Sequence, residues 1–463
     1  MRWIVLAALP TVLAGCSPAA SAIPADPPAE AGAGERTKPT RPGTDWPRFL
    51  GPAGDASSPE KGILTTWPKD GLKKVWDCPL GIGYAPPTVA GGRLYHFDRF
   101  GDAARVTCRN AETGEFVWKF EYPTDYQDLY GYDSGPRACP VVDGDRLYTY
   151  GAEGMLHCLS AADGKEIWKF DTRAKYHFHQ NFFGVGSVPA VEGDLLIVAV
   201  GGSPKGPRPG DLRDAKGNGS AIVAFDKKTG EVKYAFGDEL ASYSSPVVTT
   251  FGDRRVGLYF ARGGLLGFDP AAGKELFHYK WRGRILECVN AANPVVIGDK
   301  VLLTECYEKG AAFIQVGAGG AVKEVWTDAG KDRGEQSLMG HWATPIHEGG
   351  FVYGCSGRHT AEADLRCLDL ATGDVTWRER RTSRCMLLKV DGHLLSFGES
   401  GELRLIKLNP KKYEEVAKWD VPGLAYPSWA PPVLSRGLLY VRGKDETTRD
   451  GHRLICLELI PKK

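Results

Sequence analysis

The sequence predicts an all-β fold: an eight-bladed β-propeller of four-stranded antiparallel blades, closed by an N-terminal outer strand. Three observations predict it. Short apolar runs are punctuated along the chain by Gly (58 residues) and Pro (31 residues), the pattern of short strands joined by tight turns. One strand-and-turn module recurs from end to end, the signature of a repeat architecture. The last copy lacks its final strand, and an orphan copy of that strand stands near the N-terminus.

In chain order, residues 1–15 read as a signal peptide. Met1-Arg2-Trp3 is weakly basic, and Ile4–Leu13 is apolar but too short to span a bilayer as a helix. The stretch ends in Leu13-Ala14-Gly15-Cys16. This tetrapeptide resembles a bacterial lipobox, in which small residues admit the peptidase and the Cys16 thiol is lipidated. Acyl chains, such as palmitate, contribute about 0.8 kcal/mol per buried methylene, so several on one cysteine hold a protein to a membrane. Ser17 rather than Asp follows Cys16, which by the lipoprotein sorting rule implies an outer-membrane destination facing the periplasm. Residues 16–44, rich in Ala, Pro, Gly, Glu and Thr, are expected to be a disordered tether. The propeller is expected over 45–463, starting near Trp46-Pro47-Arg48-Phe49.

The repeat is clearest from the third strand of each blade to an aromatic in the fourth. Cys108-Arg109-Asn110-Ala111-Glu112-Thr113-Gly114 leads to Trp118, Cys158 through Gly164 to Trp168, Ala224 through Gly230 to Tyr234, Gly267 through Gly273 to Phe277, and Cys367 through Gly373 to Trp377. Degenerate copies end in Trp326 and Trp419. Inner strands start at Pro86, Pro140, Pro189, Pro246, Pro294, Pro345, Met386 and Pro432. The orphan Lys73-Lys74-Val75-Trp76 supplies the aromatic that Cys456-Leu457-Glu458-Leu459 lacks. Closing the ring this way removes free sheet edges.

The Asp-x-x-Thr-Gly-x-x-x-Trp pattern resembles the repeat of the pyrroloquinoline-quinone (PQQ) propellers over about residues 46–460. That group contains quinoprotein dehydrogenases and non-enzymatic, BamB-like outer-membrane lipoproteins. The resemblance implies that each Trp docks on the glycine turn of the next blade, a structural role.

Turn lengths separate the two faces of the ring. Asp143-Gly144-Asp145, Glu192-Gly193-Asp194, Gly298-Asp299 and Asp391-Gly392 are short, as are the Thr-Gly turns. The long connections, such as 122–135, 172–186, 201–220, 327–340, 356–364 and 443–452, emerge on the opposite face. Rigid scaffolds carry function on such loops. Residues just before each inner strand are therefore expected to line a binding site at the channel mouth: Tyr84, Arg137, Tyr243, Asn290, Asn293, His341, Trp342, Arg384 and Trp429. Aromatic planes with Arg and amides suit a planar anion or a peptide.

No catalytic residue and no metal site is assigned from the sequence. Under the dehydrogenase reading, Glu287, Asn290 and Asn293 would offer oxygens to Ca²⁺, and Trp342 or Trp429 would stack on PQQ. Against it, no two cysteines are adjacent and no Cys-x-x-Cys-His motif occurs. His177 and His179 lack an evident third ligand and read as polar loop residues. Gly201–Gly206 lacks phosphate-loop spacing. Cys108, Cys158, Cys367 and Cys456 occupy equivalent positions in different blades and read as small buried apolar residues. In an oxidising compartment Cys288 is a candidate partner for Cys306, and Cys355 for Cys385 or Cys367. Lys+Arg (58) nearly balances Asp+Glu (57), so the chain lacks the basic field of a nucleic-acid binder. The expectation is a non-catalytic, monomeric scaffold that binds an envelope protein or extended peptide, without cofactor, with a PQQ- and Ca²⁺-dependent dehydrogenase of alcohols or sugars as the alternative.

Overall fold

The computed structural model describes residues 38–462 except 178, 180, 181, 318 and 381. Cys16 and the signal segment lie outside the described residues.

Eight antiparallel sheets follow one another around a ring. Blade 1 runs through Thr88–Ala90, Arg93–Phe100, Ala103–Asn110 and Phe116–Pro123, and blades 2 to 7 repeat that order. In blade 8, His452–Glu458 pairs on its outer side with Lys74–Leu80, with Cys456 opposite Trp76. The predicted closure is therefore the observed one.

Every outer strand carries a bulge at the same place. In blade 1 the register shifts between Cys108 and Arg109, opposite Trp118 and Phe116, and the other seven blades shift equivalently. A bulge leaves one residue unpaired and increases the local twist. The unpaired residues include Val75, Ile167, Val325 and Val416, which accounts for four of the large exposed apolar side chains. In seven blades the aromatic follows the bulge directly and turns toward the next blade. In blade 7 Ala417 takes that place, and Trp419 follows two residues later on the same side of the strand.

The aromatic docking is explicit. The Trp76, Trp118, Trp168 and Trp326 rings lie where a Cβ would stand on Gly114, Gly164, Gly230 and Gly373 of the following blade, and Trp419 does the same on Gly71. Trp76, Trp168 and Trp326 also donate their indole N–H to the turn carbonyls of Ala111, Lys227 and Leu370 (3.0, 3.2 and 2.8 Å). The contacts at Gly71 and Gly114 carry the series across the seam between the chain's two ends. Cys108, Cys158, Cys367 and Cys456 each stand opposite an outer-strand Trp and are fully buried. They fill space that a larger side chain would deny to the ring.

The chain before blade 1 is built into the ring. Residues 40–44, read from composition as part of the tether, are held to the ring: the Thr40 and Arg41 N–H groups donate to Glu112 and that of Thr44 to Glu60. Arg41 pairs with Glu458 (2.9 Å) and donates to the carbonyls of Arg436 and Ile460. Those acceptors lie at the ends of blade 8 strands, so composition could not reveal them. Trp46 then bridges to Val89 of the blade 1 inner strand, the Pro47 carbonyl accepts from Val142 of blade 2, and Ser57–Ser58 pairs in parallel with Lys389–Val390 of blade 7. Between these anchors Phe49 packs on the blade 2/3 cluster and on the blade 6/7 cluster. Those clusters are opposite each other in an eight-membered ring, so the 46–58 segment crosses the channel and plugs it from the short-turn side.

Candidate functional site

Above that plug, on the long-loop face, lies a cavity of about 340 Å³, within the range of ligand sites. Phe49 and Met386 contribute to its floor. Seven of the nine residues expected at the mouth line it: Tyr84, Arg137, Tyr243, His341, Trp342, Arg384 and Trp429.

Asn290 and Asn293 do not. Both are buried at the joint between blades. Asn290 donates through Nδ2 to the carbonyls of Ala261 (2.8 Å) and Trp281 (3.3 Å). Asn293 Oδ1 accepts from the Ser245 N–H (2.7 Å). Backbone groups of the adjoining blade 4 leave unmet hydrogen bonds at this joint, and the amides satisfy them.

The walls form an aromatic belt. Trp342 and Trp429 lie 5.3 Å apart between ring centroids, His341 is 4.6 Å from Trp342, and Tyr84 is 5.0 Å from Trp429. Tyr132 links Trp429 to Phe183, which reaches Tyr243. Tyr130 and Phe182 extend the belt. Tyr130, Tyr132, Phe182 and Phe183 were not singled out from the sequence. They sit in long loops outside the repeat register, and the one available signal was their density of aromatics.

Two of the three cavity arginines are neutralised in place. Arg384 lies over Trp342 (4.6 Å) and donates from Nε and Nη2 to Glu399 Oε2 (2.9 and 2.6 Å). Arg137 pairs with Asp128 (2.9 Å), whose side chain is fully buried. Burial pushes the Glu399 carboxyl up, but hydrogen bonds from Arg384 and Thr360 and the Arg384 charge outweigh it and hold it below the usual range. Arg358 differs. Among the described residues no carboxylate pairs with its guanidinium, which lies 4.7 Å from the Tyr307 centroid. His341 shares a hydrogen bond at Nε2 with the Tyr307 hydroxyl (3.0 Å), and its ring also meets the Arg358 backbone. Burial, together with Arg384 and Arg358, pushes its pKa down to about 3, so the ring is neutral at physiological pH.

The oxygens proposed for a PQQ-associated Ca²⁺ do not converge. Glu287 is exposed on the rim, and Asn293 Oδ1 is already occupied. Asn290 Oδ1 is buried and unpartnered, but it is one oxygen where calcium takes about six to eight. The described residues hold no cluster of three or more His, Cys, Asp or Glu suited to a metal ion. The belt can stack on planar groups and Arg358 can take an anion.

A family model described as "Outer membrane protein assembly factor BamB" matches residues 102–379, more than half of the chain. Among solved structures, BamB from Moraxella catarrhalis aligns with a TM-score of 0.55 at 13% identity, covering 83% of this chain and 97% of that one. Quinohemoprotein alcohol dehydrogenase from Comamonas testosteroni aligns with a TM-score of 0.60 at 14% identity, covering 90% and 81%. In sequence, quinohemoprotein alcohol dehydrogenase ADH-IIG of Pseudomonas putida is 23% identical over 158 residues. That match takes in 33% of this chain and spans 19% of the dehydrogenase's length. At these identities the likeness to the solved structures is one of fold.

Proposed function

The chain belongs to the BamB family of PQQ-like β-propellers, and from that premise we propose that it is a non-catalytic scaffold of the cell envelope. Its mouth binds an extended segment of a partner protein. The observation that carries this reading is the aromatic belt with Arg358 beside it, which no carboxylate pairs among the described residues. Trp342, Trp429 and Tyr84 offer apolar planes to side chains of the segment, and Arg358 offers charge-assisted hydrogen bonds to a carboxylate. Assisting outer-membrane protein assembly is the role closest to the family's name.

The anchor forms part of the same proposal. Lipidation at Cys16 would tether the ring through a segment whose described part, from residue 38, docks beside Glu112 and Arg436 on the short-turn side. The mouth would then face away from the membrane. The test is capture of envelope proteins by the lipidated protein from solubilised membranes, comparing wild type with Trp429→Ala and Arg358→Ala. The proposal expects discrete outer-membrane partners, lost in both variants. Equal capture by all three proteins overturns it. Retained labelling by a palmitate analogue in Cys16→Ser would overturn the anchor.

The local match to a quinohemoprotein dehydrogenase and the stacking pair Trp342–Trp429 favour a second reading, oxidation of alcohols or sugars with PQQ. Dye-linked oxidation after loading with PQQ and Ca²⁺ would establish it, and absence of both activity and bound chromophore would remove it.

A further inference from the structure

Cys355 is the penultimate residue of the second strand of blade 6, Phe351–Ser356, and Cys385 begins the inner strand of blade 7. The two strands face each other across the seam between the blades, and the Cys385 N–H donates to the Cys355 sulfur at 3.3 Å. Cys367, the other candidate partner of Cys355, stands opposite Tyr353 and Trp377 instead. Cys288 donates to Glu305 (3.7 Å), while Cys306 is wholly buried. Thus one pair among the described cysteines is in hydrogen-bond contact.

Its position links it to the mouth. Arg384 and Met386, on either side of Cys385, both line the cavity. Cys355 is followed by Ser356, Gly357 and Arg358. Arg384 Nη1 donates to the Arg358 carbonyl (2.9 Å), closing a loop over the same seam. The pair is also less sealed than the cysteines that serve as packing: Cys355 and Cys385 are 5% and 4% exposed, whereas Cys108, Cys158, Cys367 and Cys456 are at 0%.

We propose that Cys355 and Cys385 form a redox-active pair, whose oxidation to a disulfide staples blade 6 to blade 7 and fixes the spacing of Arg358 and Arg384 at the mouth. The oxidant is another disulfide, such as oxidised glutathione or that of an oxidising protein. One thiol of the pair, as its thiolate, displaces one thiol from the oxidant and forms a mixed disulfide. The other then attacks the sulfur of that mixed disulfide from across the seam, its proton leaving with the second thiol. The protein loses two electrons and two protons, and the oxidant is reduced to two thiols.

The test equilibrates the full-length reduced protein in glutathione buffers of increasing oxidised fraction, quenches with acid, alkylates under denaturing conditions and maps peptides by mass spectrometry. The proposal expects Cys355 and Cys385 to lose alkylation together, a linked peptide containing both, and the other described cysteines still reduced. Oxidised protein should melt a few degrees above reduced protein, and the double variant Cys355→Ala/Cys385→Val should melt alike in both buffers. Full alkylation of Cys355 and Cys385 after refolding in oxidised glutathione overturns the proposal, as does a linked peptide joining either to another cysteine. The linked peptide is read on the unaltered protein, so the outcome stands even if the variants fold poorly.

Discussion

Trp429 donates its indole N–H to Glu399 at 3.1 Å, to the same carboxylate oxygen that accepts two N–H groups of Arg384. One buried carboxylate thus orients both an aromatic plane and a cation of the mouth. Glu399→Ala should cost about 2–4 kcal/mol, since it leaves a half-enclosed Arg384 without its counter-charge. Glu399→Gln should cost less. The folded pKa of Glu399 is depressed, so its contribution is present above the unfolded carboxyl value and is lost as pH falls through the folded one. Urea midpoints of wild type and Glu399→Gln should therefore converge below about pH 4. A constant difference down to pH 3 would contradict the ion pair.

His341 adds a second pH dependence. Its folded pKa is about 3, against about 6.5 for an unfolded histidine. The unfolded chain binds the extra proton between these values, so stability rises with pH across that window and is flat above it. His341→Gln should remove part of the slope between pH 4 and 6.5, measured by urea unfolding at closely spaced pH. An unchanged slope would show that His341 is not the group responsible.

The bulge-and-dock device predicts unequal costs for two similar substitutions. Gly144 and Gly164 both have positive φ, 60° and 73°. A Cβ on Gly144 meets nothing within 4 Å, whereas one on Gly164 would lie 2.5 Å from the Trp118 ring. Gly144→Ala should cost about 1 kcal/mol of backbone strain. Gly164→Ala adds overpacking, for a further cost of about 1–3 kcal/mol. Equal unfolding midpoints would refute the docking.

Phe49→Ala should cost about 2–4 kcal/mol through the void left between opposing blades. It should also loosen residues 46–58. Hydrogen exchange would report this as faster amide exchange at Lys389, whose N–H donates to the Ala56 carbonyl, with little change in outer strands. Unaltered exchange there would mean that Phe49 does not hold the plug.

What the sequence revealed followed the range of each interaction. The third-strand small residue, the turn and the outer aromatic lie within about ten residues of one another, so the pattern Cys108 to Trp118 was readable, and so was the orphan Trp76 once the copies were aligned. The mouth was half readable: position before an inner strand selected Trp342 and Arg384, but the same rule misassigned Asn290 and Asn293, whose partners belong to the preceding blade. Glu399 escaped because it lies one residue beyond the blade 7 second strand, in a short turn that marked nothing. Phe49 touches blades far apart in sequence and carries no local pattern, so the plug emerged only from the three-dimensional contacts.

The strand Lys74–Leu80 has a consequence for how the chain is made. A ribosome delivers it before any complete blade, yet its partner His452–Glu458 follows only after the strands of blades 1 to 7. Until then it is an unpaired β-edge in search of a neighbour. Lys73 and Lys74 at its start and Pro79 near its end discourage premature pairing with other nascent strands. The ring therefore closes only once blades 1 to 7 have been made, so its closure is the last pairing of the fold rather than the first.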